Sequence, residues 1–111
     1  MNNDNQAQNL IEEADLIVNT TPVGMKTNKN VTNLLPYGED FWRSLNSKTT
    51  IYDLIYNPAP TPLLQVGQKK GCMTINGLEM LVAQGIGSLS CWTDGLEVPF
   101  HIMNDALKKY L

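Results

Sequence analysis

Aromatic side chains make up only 7% and charged ones only 17% of the 111 residues, and no sign of charge accumulates, with 8 basic against 11 acidic groups. Lys69-Lys70 and Lys108-Lys109 are the only basic pairs, so the electrostatic footprint of a nucleic-acid partner is missing. Long apolar runs are missing too. Leu16-Ile17-Val18 and Leu81-Val82 fall far short of the ~20 residues that cross a bilayer, and the polar residues 1–8 carry neither a signal-peptide pattern nor a lipidation box. No membrane partner is expected. A single histidine, His101, and two cysteines without CxxC spacing, Cys72 and Cys91, supply no metal-ligand cluster, so the expected metal site is none. Both cysteines lie in apolar patterns and read as buried free thiols in a reducing cytoplasm.

What is present is a globular composition, 42% apolar, in a length that sets one domain as the expectation and excludes a second full one. A chain of this size can bury roughly two-thirds of its unfolded surface without disulfide or metal support. Residues 1–9, rich in Asn and Gln, have no hydrophobic period and read as a disordered start or a stub, with a short helical fragment over 9–14. Leu16-Ile17-Val18-Asn19-Thr20-Thr21 is a continuous apolar run closed by a turn at Pro22 and Gly24, as in a parallel strand buried on both faces. Residues 25–40 hold too many turn formers for a regular element and read as a long surface loop.

The β-branched and aromatic run 49–56 (TTIYDLIY) ends at Asn57-Pro58-Ala59-Pro60 and is a second strand. Thr61-Pro62 then offers an N-cap hydroxyl and a proline at the first helical position, and Gly71 a stop after Lys69-Lys70, which predicts a helix over 62–70. A third strand over 72–75 completes a right-handed parallel crossover. Leu78, Leu81, Val82, Ile86, Leu89 and Trp92 recur at helical spacing, so a longer helix over 77–92 turns that stripe to a core. At ~100° per residue, Gly77, Met80, Gln84 and Gly87 share a different flank of it. After an Asp94-Gly95 turn, Pro99 opens a last helix with Met103, Ala106, Leu107 and Tyr110 as its stripe.

Candidate sites follow from these placements. Gly85-Ile86-Gly87 is not a dinucleotide loop, because Ser90 stands where a third glycine belongs and the run lies inside a helical pattern. Close packing of two elements is the preferred use of both glycines. Asn19-Thr20-Thr21-Pro22-Val23-Gly24-Met25 puts amide and hydroxyl groups at the carboxyl end of a strand, where open α/β sheets bind ligands. A strand-terminating turn held by Asx and Ser/Thr bonds explains the same residues. Tyr56 ends the second strand at that edge, either as a ligand contact or as a packing residue with a satisfied hydroxyl. No catalytic residue is assigned: nothing is spaced to work with His101, and Asp53 and Glu79 carry no paired-carboxylate signature.

In order and spacing, the strings DLIVNTTPVGM (15–25), YDLIYNPAPTPLL (52–64) and NGLEMLVAQG (76–85) resemble the carboxy-terminal part of the NADP-dependent shikimate dehydrogenases, from about Leu10 to the end. The resemblance implies the later half of a Rossmann-like cofactor domain, an α/β fold of mostly parallel strands over 10–111 with carboxy-terminal helices. It implies reversible reduction of 3-dehydroshikimate to shikimate by NADPH in aromatic amino-acid synthesis. It also implies NADP contacts at Thr21, Leu54, Gly77 and Met80, and shikimate contacts at Tyr56 and Gln84. The catalytic Lys and Asp, the Gly-rich cofactor turn and the Asn-Arg-Thr motif for the 2′-phosphate are not in these residues, so the isolated chain is expected to be inactive. A noncatalytic nucleotide-binding or regulatory interaction module of the same fold is the alternative, and an exposed sheet edge would favour self-association.

Overall fold

The computed structural model describes residues 3–25 and 35–110. Its elements are α1 (Asn3–Glu13), β1 (Leu16–Asn19), a 3-10 turn (Glu39–Trp42), β2 (Thr50–Asp53), α2 (Pro62–Lys69), β3 (Met73–Ile75), α3 (Leu78–Trp92) and α4 (Phe100–Lys108). The chain divides into two compact units, Met1–Asn76 and Gly77–Leu111. Helices and parallel strands make it an α/β chain, as expected.

In the first unit the three strands run parallel in the order β1-β2-β3. Leu16 pairs with Thr50 and Asn19 with Asp53, so β1 and β2 end level with each other. Side chains alternate across a strand, and Thr49, Ile51, Asp53 and Ile55 are accordingly the buried set. Ile51, Leu63 and Leu64 form the centre of a core with Ile11, Leu35, Trp42, Leu45 and Cys72. The local signals of α2 act as expected: Leu64 N donates to the Thr61 hydroxyl at 3.2 Å, Pro62 opens the helix, and Gly71 turns the chain at a φ of 82°. Gly67 faces the sheet so closely that a Cβ there would lie 2.6 Å from Ile51 Cδ1 and 3.2 Å from Thr74 Cγ2.

Four expectations for this unit change. The helix expected over 9–14, behind an irregular 1–9, instead begins at Asn3. Tertiary packing of one face, more than local propensity, carries short helices, and here Ile11 is buried while Ser44 Oγ donates to Gln8 Oε1 at 3.3 Å. β1 is not covered on both faces: Leu16 and Val18, which share one face, are exposed, while Ile17 and Asn19 on the other are half-buried and buried. The strand run also stops earlier than its composition suggests, with Leu54, Ile55 and Tyr56 outside β2. Of the loop expected over 25–40, residues 26–34 lie outside the described residues. Its far end is a surface loop only in part: Tyr37, Glu39 and Asp40 are exposed, but Leu35 and Pro36 are buried and Trp42 Nε1 donates to Pro36 O at 2.8 Å.

The second unit is a helical pair, α3 packed with α4. Gly77 caps α3, its carbonyl accepting from Leu81 N at 3.0 Å. Of the apolar stripe on α3, Val82 is 1% exposed, Leu78, Leu81, Ile86 and Leu89 are half-buried, and Trp92 is 79% exposed. Trp92 departs from the stripe because the helix ends there, with Thr93 and Gly95 returning their N–H groups to Leu89 O and Ser90 O. The turn residues Asp94 and Gly95 both have positive φ. Close packing at Gly85 and Gly87 is not found: a Cβ at either position would meet nothing within 4 Å. Cys91 is exposed, contrary to the expectation of two buried thiols; both cysteines are free. No helix among the described residues is long and apolar enough to cross a membrane.

Candidate functional site

The carboxyl ends of β1 and β2 carry a buried polar network. Asn19 Nδ2 donates to Asp53 Oδ1 at 3.0 Å and to Val23 O at 3.3 Å. Asn19 Oδ1 accepts from Thr21 N at 3.1 Å and from Thr21 Oγ1 at 2.7 Å. Because Thr21 N can only donate, the orientation of the Asn19 amide is settled: its oxygen faces the turn and its nitrogen faces Asp53. Thr21 Oγ1 in turn accepts from Val23 N at 3.3 Å. The Asx and Ser/Thr bonding read as one explanation of this segment is therefore present, and it leaves Thr20 and Thr21 exposed at the strand end. The turn that closes the strand is thus also a surface available to a ligand.

Asp53 is fully buried. Its Oδ1 also accepts from Ile55 N at 3.1 Å, and its Oδ2 accepts from Thr61 Oγ1 at 2.7 Å. Hydrogen bonds of this kind are what make burial of a carboxylate tolerable. Leu54 N donates to Asn19 O at 3.1 Å, so the backbone group Leu54 can offer a ligand is its carbonyl. Tyr56, half-buried, follows directly after Ile55. Asp53 lacks a paired carboxylate in the sequence, yet it alternates with Ile51 and Ile55, and an acidic residue on an inward face must find donors.

An open groove of about 460 Å³ runs beside this end of β1, lined by Leu10, Leu16, Val18, Tyr37 and Phe41 and reaching Thr20 and Thr21. No sequence pattern marks it, since it joins α1 and β1 to the segment after residue 34. In the second unit, Met80, Gln84 and Gly87 share one exposed flank of α3, apart from the stripe that holds Val82, while Gly77 is buried at the helix start. His101 is exposed on α4. Among the described residues no cluster of His, Cys, Asp or Glu could hold a metal ion.

Residues 77–108 match the model of the shikimate 5′-dehydrogenase C-terminal domain. Over all 111 residues the chain is 78% identical to the shikimate dehydrogenase (NADP(+)) of Prochlorococcus marinus strain MIT 9301, and it spans 39% of the length of that relative. Among solved structures, the shikimate 5-dehydrogenase of Listeria monocytogenes in complex with shikimate and NAD is 33% identical, with a TM-score of 0.74 over 96% of this chain and 35% of that one. A shikimate dehydrogenase solved in complex with NADP+ is 35% identical, with a TM-score of 0.72 over 86% of this chain and 31% of that one. In sequence and in fold, the chain is similar along its length to the carboxy-terminal part of the NADP-dependent shikimate dehydrogenases.

Proposed function

We propose that the chain works as the carboxy-terminal part of an NADP-dependent shikimate dehydrogenase, a cytoplasmic enzyme that reversibly reduces 3-dehydroshikimate to shikimate. The observation that carries this reading is the 78% identity to such an enzyme across every residue of the chain. NADPH, when bound, supplies the hydride. The residues present suit the nicotinamide end of that cofactor. Thr21 lies exposed at a strand's carboxyl end, where open α/β sheets take their ligands, and the Leu54 carbonyl leaves the sheet at the same edge. Among the described residues of the first unit, Arg43 is paired with Asp40 at 2.6 Å, and Lys48, Lys69 and Lys70 precede β2 or β3, at the amino end of the parallel sheet, so none of these cations serves its phosphates.

In this reading the Thr21 turn, the Leu54 carbonyl, Gly77 and Met80 contact the cofactor, with Met80 laid against the nicotinamide ring. Tyr56 and Gln84 hydrogen-bond the substituents of the shikimate ring. The groups that move the proton and grip the pyrophosphate belong to the part of the enzyme outside these residues. The isolated chain accordingly turns over no shikimate with NADP, and its exposed β1 edge, with Leu16 and Val18 beside it, favours self-association.

The test uses a full-length enzyme carrying this segment, made by exchanging it for the matching part of the Prochlorococcus marinus MIT 9301 relative. Gln84→Ala and Tyr56→Phe should lower kcat/KM for shikimate several-fold with little change in Tm, a neutral hydrogen bond contributing about 0.5–1.5 kcal/mol. Normal kinetics in variants that melt early would make both residues structural. Turnover by the purified isolated chain would refute the division of labour.

A further inference from the structure

We infer that Asp53 is a positioning residue for this reaction: one buried carboxylate sets the Thr21 turn and the Leu54–Tyr56 segment relative to each other. The inference rests on the function proposed above. Every bond in the chain of contacts has a settled direction. Thr21 N and Thr21 Oγ1 donate to Asn19 Oδ1, and Asn19 Nδ2 donates to Asp53 Oδ1. Ile55 N, between Leu54 and Tyr56, donates to the same Oδ1. On the other side Thr61 Oγ1 accepts from Leu64 N and gives its proton to Asp53 Oδ2.

Asp53 therefore meets three donors at once, from the end of β1, from its own strand's exit and from the amino end of α2. Only an acceptor on both oxygens satisfies them all. An amide at this position keeps its oxygen for Asn19 and Ile55 and turns its NH2 toward Thr61 Oγ1, which then must accept and send its own proton elsewhere, so the charge-assisted bonds become neutral ones and the arm to α2 is reversed. Asp53 itself is fully buried, so it acts on ligands only through what it holds. The groups it holds are two that the function assigns to different ligands: Thr21 to the cofactor and Tyr56 to the substrate. Displacing them together raises both Michaelis constants, whereas mere loss of stability raises neither in the folded fraction.

The experiment again uses the full-length enzyme carrying this segment. Asp53→Asn should raise KM for NADP and for shikimate together, by about ten-fold for a lost charge-assisted bond, with kcat less affected. Thr61→Val should raise both in the same sense, and Thr61→Ser, which keeps the hydroxyl, should restore them. Leu63→Ala serves as the control, since Leu63 is buried beside this network in α2: it should lower Tm and leave both constants unchanged. Unchanged constants in Asp53→Asn overturn the inference, as does an equal rise in Leu63→Ala at matched loss of Tm. If Asp53→Asn does not fold, the Thr61 pair decides, and identical constants for valine and serine overturn it. An unsubstituted enzyme without shikimate turnover overturns the proposed function and this inference with it, which separates that failure from the others.

Discussion

Residues up to Asn76 bury Ile51, Leu63 and Leu64 almost completely and surround them with five further buried residues drawn from α1 to Cys72. Beyond Gly77, Val82 is the one described hydrophobic side chain that is buried, while Trp92, Leu96, Phe100, Ile102 and Tyr110 stand in the open. Both regions carry apolar patterns in the sequence, short strand runs in the first and helical stripes in the second. The difference lies in connectivity: a parallel strand, helix and strand fold back on each other and cover their own apolar faces, whereas two helices in sequence cover only the strip along which they meet. Periodicity thus says which residues share a face, and a second element decides whether that face is covered.

The largest expected effect tests the stronger of the two regions. Leu63→Ala should cost about 2–5 kcal/mol, the range for a leucine removed from a packed core. Urea unfolding followed by Trp42 fluorescence, in a Trp92→Phe background, measures it. A loss under about 1 kcal/mol would place Leu63 outside the packed regime of such cores.

Gly67 and Gly85 sharpen the comparison, because the same substitution should act in opposite directions in the two regions. Gly67→Ala pushes a Cβ to 2.6 Å from Ile51 Cδ1, and overpacking of this kind costs about 1–3 kcal/mol. Gly85→Ala enters open space in the middle of α3 and should stabilise by about 0.5–1 kcal/mol, the difference between glycine and alanine in a helix. Thermal unfolding of both variants reads the two signs. Destabilisation by Gly85→Ala would restore the close packing that the sequence suggested for it.

The smallest effect concerns the two thiols. Alkylation at neutral pH should label exposed Cys91 before buried Cys72, as read by mass spectrometry of digested samples. Burial pushes the Cys72 thiol above its ordinary value of 9.0, against a smaller opposite pull from Lys70. The folded chain therefore holds that proton more tightly than the unfolded one, so this contribution to stability is complete below pH 9.0 and is lost as the pH rises through the folded-state value. Cys72→Ala should flatten the alkaline part of the stability profile; an unchanged slope would remove Cys72 as its cause.

The sequence by itself determined what depends on neighbours along the chain. Thr61-Pro62 and Gly71 bound α2 because a cap and a stop act within one helical turn. Asp94-Gly95 makes a turn, and Met80 and Gln84 share a flank because they stand four residues apart on one helix. Three motifs in one order carried the likeness to shikimate dehydrogenases for the same reason, since order and spacing are properties of the chain alone. Only the tertiary structure decided what depends on residues distant in sequence. It extended α1 back to Asn3 on the strength of Ile11 and Ser44, opened one side of β1, left Cys91 and Trp92 exposed, and made Gly67 rather than Gly85 the point of close approach. It also joined Asn19, Asp53 and Thr61 into one network, because a buried carboxylate takes its donors from whichever elements the fold brings to it.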